Sequence, residues 1–502
     1  MNIKELLKSI SFGESIAEHE AEKLRNYFLQ TEFWRNIRNG TNDIVYGAKG
    51  SGKSAIYTSI TNDIDTLFDD GILLAIAENP SGNTAFSNLK NDPPTSLTEF
   101  IRLWKLYFLV ITVNVLNEFD ISDEHANKVR KILQDCNLVP AQNKLSSFLK
   151  ACSDFVRSFT KGAREVSTTA EFDPVTGGYA GQKFSVVFND PSKSDFENGL
   201  IPIEYVYELL TKSLILSKIR LWIVIDRLDV AFAESEELET NALKALFKAY
   251  LDLAQFSEIK IKVFLRDDIW KKITSEGFRE ASHITKFQNI TWNKETLLNI
   301  IVRRIIDNKN LVAAYNIDNS LVLSDITEQE KLFYRLFPKQ VDIGSKKPAT
   351  LDWILSRTRD GKYINTPREI IQLLNKAKEI EIGRLENGIN ELIDEQIISR
   401  QALKLSLDDV SKQRIEQTLY AEYPTLRQYI ELLKNDKAEH NLETLSSKWN
   451  LDTKESLEII KRLCDIGFFE EKGTVPDIKY KIPFLYRPYL DIIQGQASSD
   501  DE

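Results

Sequence analysis

Apolar residues recur along this chain in two rhythms, and their order predicts an α/β core followed by helices. Short continuous apolar runs bounded by turn residues read as buried strands. They occur at residues 44–46, in GILLAIAENP from Gly71, in KIRLWIVIDRLDVAF from Lys218 and in IKIKVFLRDDIW from Ile259. Between them, helical spacing marks LTEFIRLWKLYFLVITVNVLNEF, residues 203–216 and ETNALKALFKAYLDLAQF. Strands alternating with helices in this way predict a parallel sheet with helices on both faces. Before the first strand, Leu24, Phe28, Phe33, Trp34 and Ile37 fall at helical spacing.

Residues 141–199 break the alternation. They are rich in Gly, Ser, Thr and Asp, and predict an insertion carrying a β-hairpin around Val186. Beyond Trp292 the pattern is helical through KETLLNIIVRRIIDN, EQEKLFYRLF, LDWILSRTRDG and TPREIIQLLNKAKEIEIGRLE. Thr366 is placed to cap that last helix, with Pro367 at its first position. The closing stretch from Asn441 reads as helix, turn, helix and two strands, the order of a winged helix. Four segments follow: an N-terminal helical segment (1–40), a core (41–290) with its insertion, a helical lid (291–400), and a helical and winged-helix C-terminal part (401–502) with a short acidic tail, SSDDE, expected to be disordered.

Composition narrows the classes. With 42% hydrophobic and 28% charged residues, the chain has the balance of a soluble globular protein. Its longest apolar stretch, around Phe108 to Val115, falls short of the roughly 20 residues that span a bilayer, so no membrane segment is expected. The first twenty residues carry acids and lack a secretory signal pattern, which makes the cytoplasm the expected location. Cys136, Cys152 and Cys464 lie far apart and the four histidines are scattered, so neither a disulfide frame nor a metal cluster is expected. A net charge of -10 argues against a coat of nucleic acid. From Asp436 to Pro488 nine basic residues face ten acidic ones, so the C-terminal module is not basic, and protein contact is favoured over DNA readout.

The chemistry is concentrated in Gly47-Ala48-Lys49-Gly50-Ser51-Gly52-Lys53-Ser54, which matches G-x-x-x-x-G-K-[ST] between a strand and a helix. Glycines let backbone N–H groups turn toward phosphate oxygens, and the helix start adds favourable potential. Lys53 is placed to reach the β and γ phosphates, and Ser54 to ligate Mg2+. The expected nucleotide contacts run from Gly47 through Ala55, and the expected ligand is ATP with Mg2+. Asp226, at the end of LWIVI, fits the second acidic element and would share the metal with Ser54. Asp229 is a candidate to orient or deprotonate water, or else to cap a turn. Arg266 either acts on the γ phosphate, by sensing it or across a subunit contact, or pairs with Asp267 or Asp268, and Arg368 presents the same ambiguity between a functional role and an ordinary ion pair.

In this order, GAKGSGKSAI, IVIDRLD, VFLRDDIW, ITWNKETLLNIIVRRI and TPREIIQLLN resemble the bacterial signal-transducing (STAND) P-loop ATPases, close to the KAP and origin-recognition branches of the AAA+ group. The resemblance spans about residues 10 to 380. It implies an ASCE-type core with a helical lid, ATP hydrolysis and homo-oligomer formation, with Lys53, Ser54, Asp226, Arg266 and Arg368 in the roles above. It also implies a setting in anti-phage loci. One departure stands out: relatives place a glutamate soon after the second acidic element, whereas here Val230 follows Asp229 and the next acid is Glu234. Slow turnover, suited to a switch acting on a protein effector, is therefore expected. A DNA-remodelling ATPase and a nucleotide-binding scaffold with negligible turnover are the alternatives.

Overall fold

A strand buried on both faces needs apolar side chains at every position, and β-branched residues suit its pleat. The runs identified above meet that demand. The computed structural model describes residues 2–78, 84, 86, 89, 93–139, 144–160, 170–172, 179–182, 184–228, 236–275, 277–474 and 477–497. By compactness the chain divides into a sheet unit, Thr31–Gly47 with Lys53–Asn289, and a helical unit, Met1–Gln30, Ala48–Gly52 and Ile290–Glu502.

The strands of the sheet unit, in chain order, are β1 (Ile44–Gly47), β2 (Ile72–Ile76), β3 (Ala170–Phe172), β4 (Tyr179–Gln182), β5 (Ser185–Val187), β6 (Leu200–Pro202), β7 (Arg220–Ile225), β8 (Ile259–Arg266) and β9 (Phe287–Asn289). Five of them form one sheet in the order β2-β7-β8-β1-β9. Every neighbouring pair in it is parallel. The fold is thus α/β, a central parallel sheet flanked by helices. β8 lies between β1, which leads into the glycine-rich loop, and β7, which leads to Asp226. Register sets Gly47 opposite Arg266, and Ile225 opposite Val263, so the carboxyl ends of β1, β7 and β8 gather at one edge.

Helices Leu97–Glu118, Ile203–Leu216 and Glu236–Leu253 supply the covering layers. Trp104, Tyr107 and Phe108 of the first are almost fully buried, and its Trp104 Nε1 donates to Ala242 O at 2.9 Å. At the amino end of β1 and β8 a buried pair fixes the register. Lys262 Nζ lies 2.7 Å from Asp43 Oδ1 and from Asn42 O, over the Trp222 ring at 4.7 Å.

The stretch expected to be an insertion differs from the sequence reading. It contains the helix Leu145–Thr160, and Val186 belongs to no hairpin. β5 pairs in parallel with β6, Val186 opposite Ile201, while the antiparallel pair is β3 with β4. The reason is burial. Val186 is fully enclosed, and its N–H donates to Cys136 Sγ at 3.3 Å, so packing on the helix Glu124–Asp135 sets its partner rather than a local turn.

In the helical unit, Lys294–Ile306, Ile326–Leu336, Thr350–Thr358 and Pro367–Glu386 follow the predicted periodicity, and Arg400–Arg414 adds a further helix. Residues 2–30 pack here. Lys378 Nζ donates to Ile10 O at 3.0 Å, and Arg304 Nη2 meets Glu20 Oε1 at 2.7 Å. Pro367 occupies the first helical position, but the Thr366 hydroxyl donates to the Glu369 carboxylate and makes no cap bond. After Arg414 the helix widens into a π-helical turn, Ile415–Tyr420.

The last part holds β10 (Lys437–His440), helices Leu442–Trp449 and Thr453–Asp465, β11 (Glu470–Lys472), β12 (Lys479–Lys481) and β13 (Ile493–Gln496). The sheet order is β11-β12-β10-β13, with β12 antiparallel to both neighbours and β13 parallel to β10. A strand therefore precedes the two helices and a fourth strand follows, beyond the two strands expected. The tail at 498–502 lies outside the described residues. Among the described residues no helix is long and apolar enough to cross a membrane.

Candidate functional site

β1 ends at Gly47 because the glycines that follow do not continue a strand, and Lys53 opens the helix Lys53–Thr61. Gly50 and Gly52 take φ of +84° and +96°, a region closed to most side chains, and Ser51 N donates to Ala48 O at 3.1 Å to close the turn between them. These torsions are what a loop needs if its N–H groups are to face inward on an anion.

In the sheet unit, Lys53 is buried and its Nζ donates to Gly47 O at 2.9 Å, folding the side chain back along the loop. Ser54 Oγ donates to Asp226 Oδ2 at 3.1 Å. Asp226 is itself buried, one residue beyond β7, and Arg227 after it takes φ +59°. Such a conformation for a non-glycine residue is held only where surrounding structure determines it. One turn along the loop helix, Tyr57 donates to Glu78 O at 3.0 Å. Burial, with the negative charges of Asp226 and Glu78, pushes its hydroxyl well above the ordinary tyrosine range, so it stays a donor. Arg266 makes a two-pronged bond to Asp268, Nε to Oδ1 at 3.0 Å and Nη2 to Oδ2 at 2.7 Å. Of its two alternatives, the ion pair is the arrangement formed here. Asp229, Val230 and Glu234 lie outside the described residues.

The helical unit includes the loop residues 48–52 and holds them from several directions. Trp292 Nε1 donates to Ser51 O at 2.8 Å. Lys49 pairs with Glu422, and its Nζ also donates to Gln417 O at 3.3 Å. Gly50 leaves no slack: a Cβ there would stand 2.8 Å from Thr366 Oγ1 and 2.9 Å from Arg368 Cβ. The Arg368 Nε reaches Ser15 O at 3.4 Å. Ala55 continues the loop helix, half-buried.

Sequence reasoning did not reach Trp292, Glu422 or Gln417. Trp292 lies in the ITWNKETLLNIIVRRI segment but nothing there marks it for the loop, Glu422 and Gln417 lie in no motif, and only the folded chain brings the three to the loop.

Two tests of fit for a nucleotide and its cation are met. Ser51 Oγ is buried with no hydrogen-bond partner among the described residues, an orphan that a ligand oxygen would satisfy. The Ser54 hydroxyl and Asp226 carboxylate present two adjacent hard oxygen donors, and Mg2+ takes one or two carboxylates with waters and substrate phosphates. Among the described residues no cluster of three or more His, Cys, Asp or Glu would hold a metal by side chains alone.

No family model matches the chain, and no curated protein does. Among solved structures it is similar to the Aeropyrum pernix ORC2 protein in ADPNP–ADP complexes, at 10% identity over 94% of each chain with a TM-score of 0.29. It is also similar to the ADP form of that protein, at 10% identity over 93% of this chain and 88% of that one, with a TM-score of 0.29.

Proposed function

We propose that the chain binds ATP with Mg2+ at the loop from Gly47 to Ala55 and works as a slowly hydrolysing, oligomeric switch on a protein partner. One observation carries the nucleotide reading. Ser54 and Asp226 are 172 positions apart, yet the fold sets their oxygens 3.1 Å from each other, in a chain whose preceding loop carries two glycines in the left-handed region.

When bound, Mg2+ would neutralise charge on the β and γ phosphates. Ser54 and Asp226 would hold it. Lys53 would exchange its bond to Gly47 O for a phosphate oxygen, and the loop N–H groups would take the remaining oxygens. Asp229 is the proposed group for orienting water. Arg266 and Arg368 would supply positive charge to the γ phosphate after leaving Asp268 and Ser15. A switch of this signal-transducing kind needs two arrangements that ATP distinguishes rather than rapid cycling.

The β10–β12 module, which we take as a winged helix, fits a protein partner better than DNA. The exposed charged residues of Thr453–Asp465 are of mixed sign (Lys454, Glu455, Glu458, Lys461, Arg462 and Asp465), with Leu457 44% exposed among them.

The test is ATP hydrolysis by the purified chain with and without duplex DNA, with Asp226→Ala as the blank and sedimentation velocity with and without ATP alongside. Slow turnover indifferent to DNA, with an ATP-dependent change of oligomeric state, supports the switch. Turnover strongly stimulated by DNA replaces it with a DNA-handling ATPase, and ATP binding without measurable turnover leaves a scaffold.

A further inference from the structure

Three ionisable groups are buried together in the helical unit, far in sequence from the loop motif. Arg414 Nη1 lies 2.9 Å from Glu369 Oε1 and Nη2 lies 4.0 Å from Asp360 Oδ2, with all three side chains no more than 7% exposed. Removing such groups from water is unfavourable, and apolar residues of similar volume commonly serve stability as well or better. Stability alone therefore gives no reason for this cluster, whereas its connections do.

On one side, Glu369 accepts the Thr366 hydroxyl, and Thr366 Oγ1 is the atom standing 2.8 Å from where a Cβ of Gly50 would be. On the other side, Asp360 accepts the N–H groups of Lys362 at 2.9 Å and Ile364 at 3.0 Å. This holds a tight turn against the C-terminal module. Gly361 N donates to Gly467 O at 2.7 Å, Lys362 Nζ to Asp465 O at 3.1 Å, and Tyr363 to the Glu470 carboxylate. A second route leaves the loop one residue earlier. Lys49 is tied to Glu422 and to Gln417 O, the latter in the π-helical turn that begins immediately after Arg414.

We propose that Arg414, bridging Glu369 and Asp360, together with the Lys49–Glu422 pair, couples the phosphate loop to the C-terminal β-α-α-β-β module, so that nucleotide in the loop is read out there. This rests on the nucleotide-binding reading above. Phosphate entering the loop draws N–H groups and cations toward itself, so Gly50 and Lys49 shift. The space beside Gly50 is too small even for a Cβ against Thr366, and a close-packed interior passes such a shift on instead of absorbing it. Thr366 carries Glu369, and Arg414 must then redivide its bonds between Glu369 and Asp360, which are discrete alternatives. The turn at residues 360–363 moves with Asp360, and the segment from Asp465 to Glu470 moves with the turn.

The experiment is hydrogen exchange on the full chain with Mg2+ and ADPNP or ADP, with nucleotide affinity measured on the same samples. In the wild type, nucleotide is expected to change exchange in Thr453–Asp465, β11 and β12 by at least about fivefold, the lower end of ordinary coupling between sites. Glu369→Gln and Glu422→Gln are expected to keep nucleotide affinity within about threefold and to lose that distant response. Glu422 lies on the partly exposed route, so its variant is informative even where Glu369→Gln folds poorly. Nucleotide binding with no distant response in the wild type, or a response intact in both variants, overturns the coupling and leaves the nucleotide site standing. No nucleotide binding by the wild type overturns both.

Discussion

Replacing Asp43 by Ala tests whether the buried pair beneath β1 holds the sheet edge that carries the loop. Asp43 and Lys262 expose 4% and 1% of their side chains, and Asp43 also accepts the Tyr250 hydroxyl at 3.2 Å. Removing one partner of a buried ion pair costs about 3–5 kcal/mol, because the other charge stays behind. Lys262 keeps Asn42 O and the Trp222 ring, which puts the expected loss near the low end, about 3 kcal/mol. At about 2–4 °C per kcal/mol for a unit of this size, the sheet unit should melt about 6–12 °C lower.

The pH dependence of that loss has a definite sign. Burial pushes the Lys262 ammonium below its ordinary value and Asp43 holds it up, so without Asp43 the folded value falls further. The unfolded chain then binds more protons than the folded one, stability rises with pH, and the deficit narrows from pH 7 to pH 9. The double variant Asp43→Ala with Lys262→Met removes both charges and should recover to within about 1.5 kcal/mol of the wild type. Differential scanning calorimetry reads all three proteins. A loss under about 2 °C for Asp43→Ala, or a double variant melting no higher than the single, refutes the reasoning.

Lys53→Ala should weaken ATP binding about 10- to 100-fold by isothermal titration calorimetry, the value of one charge-assisted hydrogen bond; an unchanged affinity would remove Lys53 from the phosphate site. Asp360→Asn keeps an acceptor for the N–H groups of Lys362 and Ile364 but cannot ionise. Burial raises the Asp360 carboxyl above its ordinary 3.8, so its stabilising contribution is present below that pH and is lost as pH rises through the folded value. The melting temperature of Asp360→Asn should therefore gain on the wild type between pH 4 and pH 7, and the opposite trend would contradict the burial argument.

What the sequence disclosed follows from how local each signal is. Helix Ile203–Leu216 matches at both ends because its apolar spacing stops where Ser217 caps it. The sheet's four longer strands were visible because burial on both faces leaves an uninterrupted apolar run. β9 was invisible because Phe-Gln-Asn is short and half polar, and it is a strand only by pairing with β1. Val186 was given a hairpin because turn residues surround it, but Cys136 and Ile201 decide its partner. At the site, the loop and Asp226 were readable from residue type and spacing. Arg414, Glu369 and Asp360 carry no motif, and nothing in a sequence distinguishes a charge turned inward from one turned out. Arg266 offered two readings of equal weight, and the bond to Asp268 shows the ion pair without deciding what the arginine does beside a phosphate.

The packing of residues 2–30 on helices from beyond residue 290 has a consequence for how the chain is made. Leu6, Leu7, Ile10 and Phe12 share a core with Ile370 and Leu373, about 360 positions later. At about 5–20 residues per second on the ribosome, these four apolar side chains wait roughly 20–70 s for Ile370 and Leu373, while the sheet unit has everything it requires after residue 289. A nascent chain that stalls before residue 367 therefore presents Leu6, Leu7, Ile10 and Phe12 to chaperones and proteases without the Pro367–Glu386 helix that completes their core.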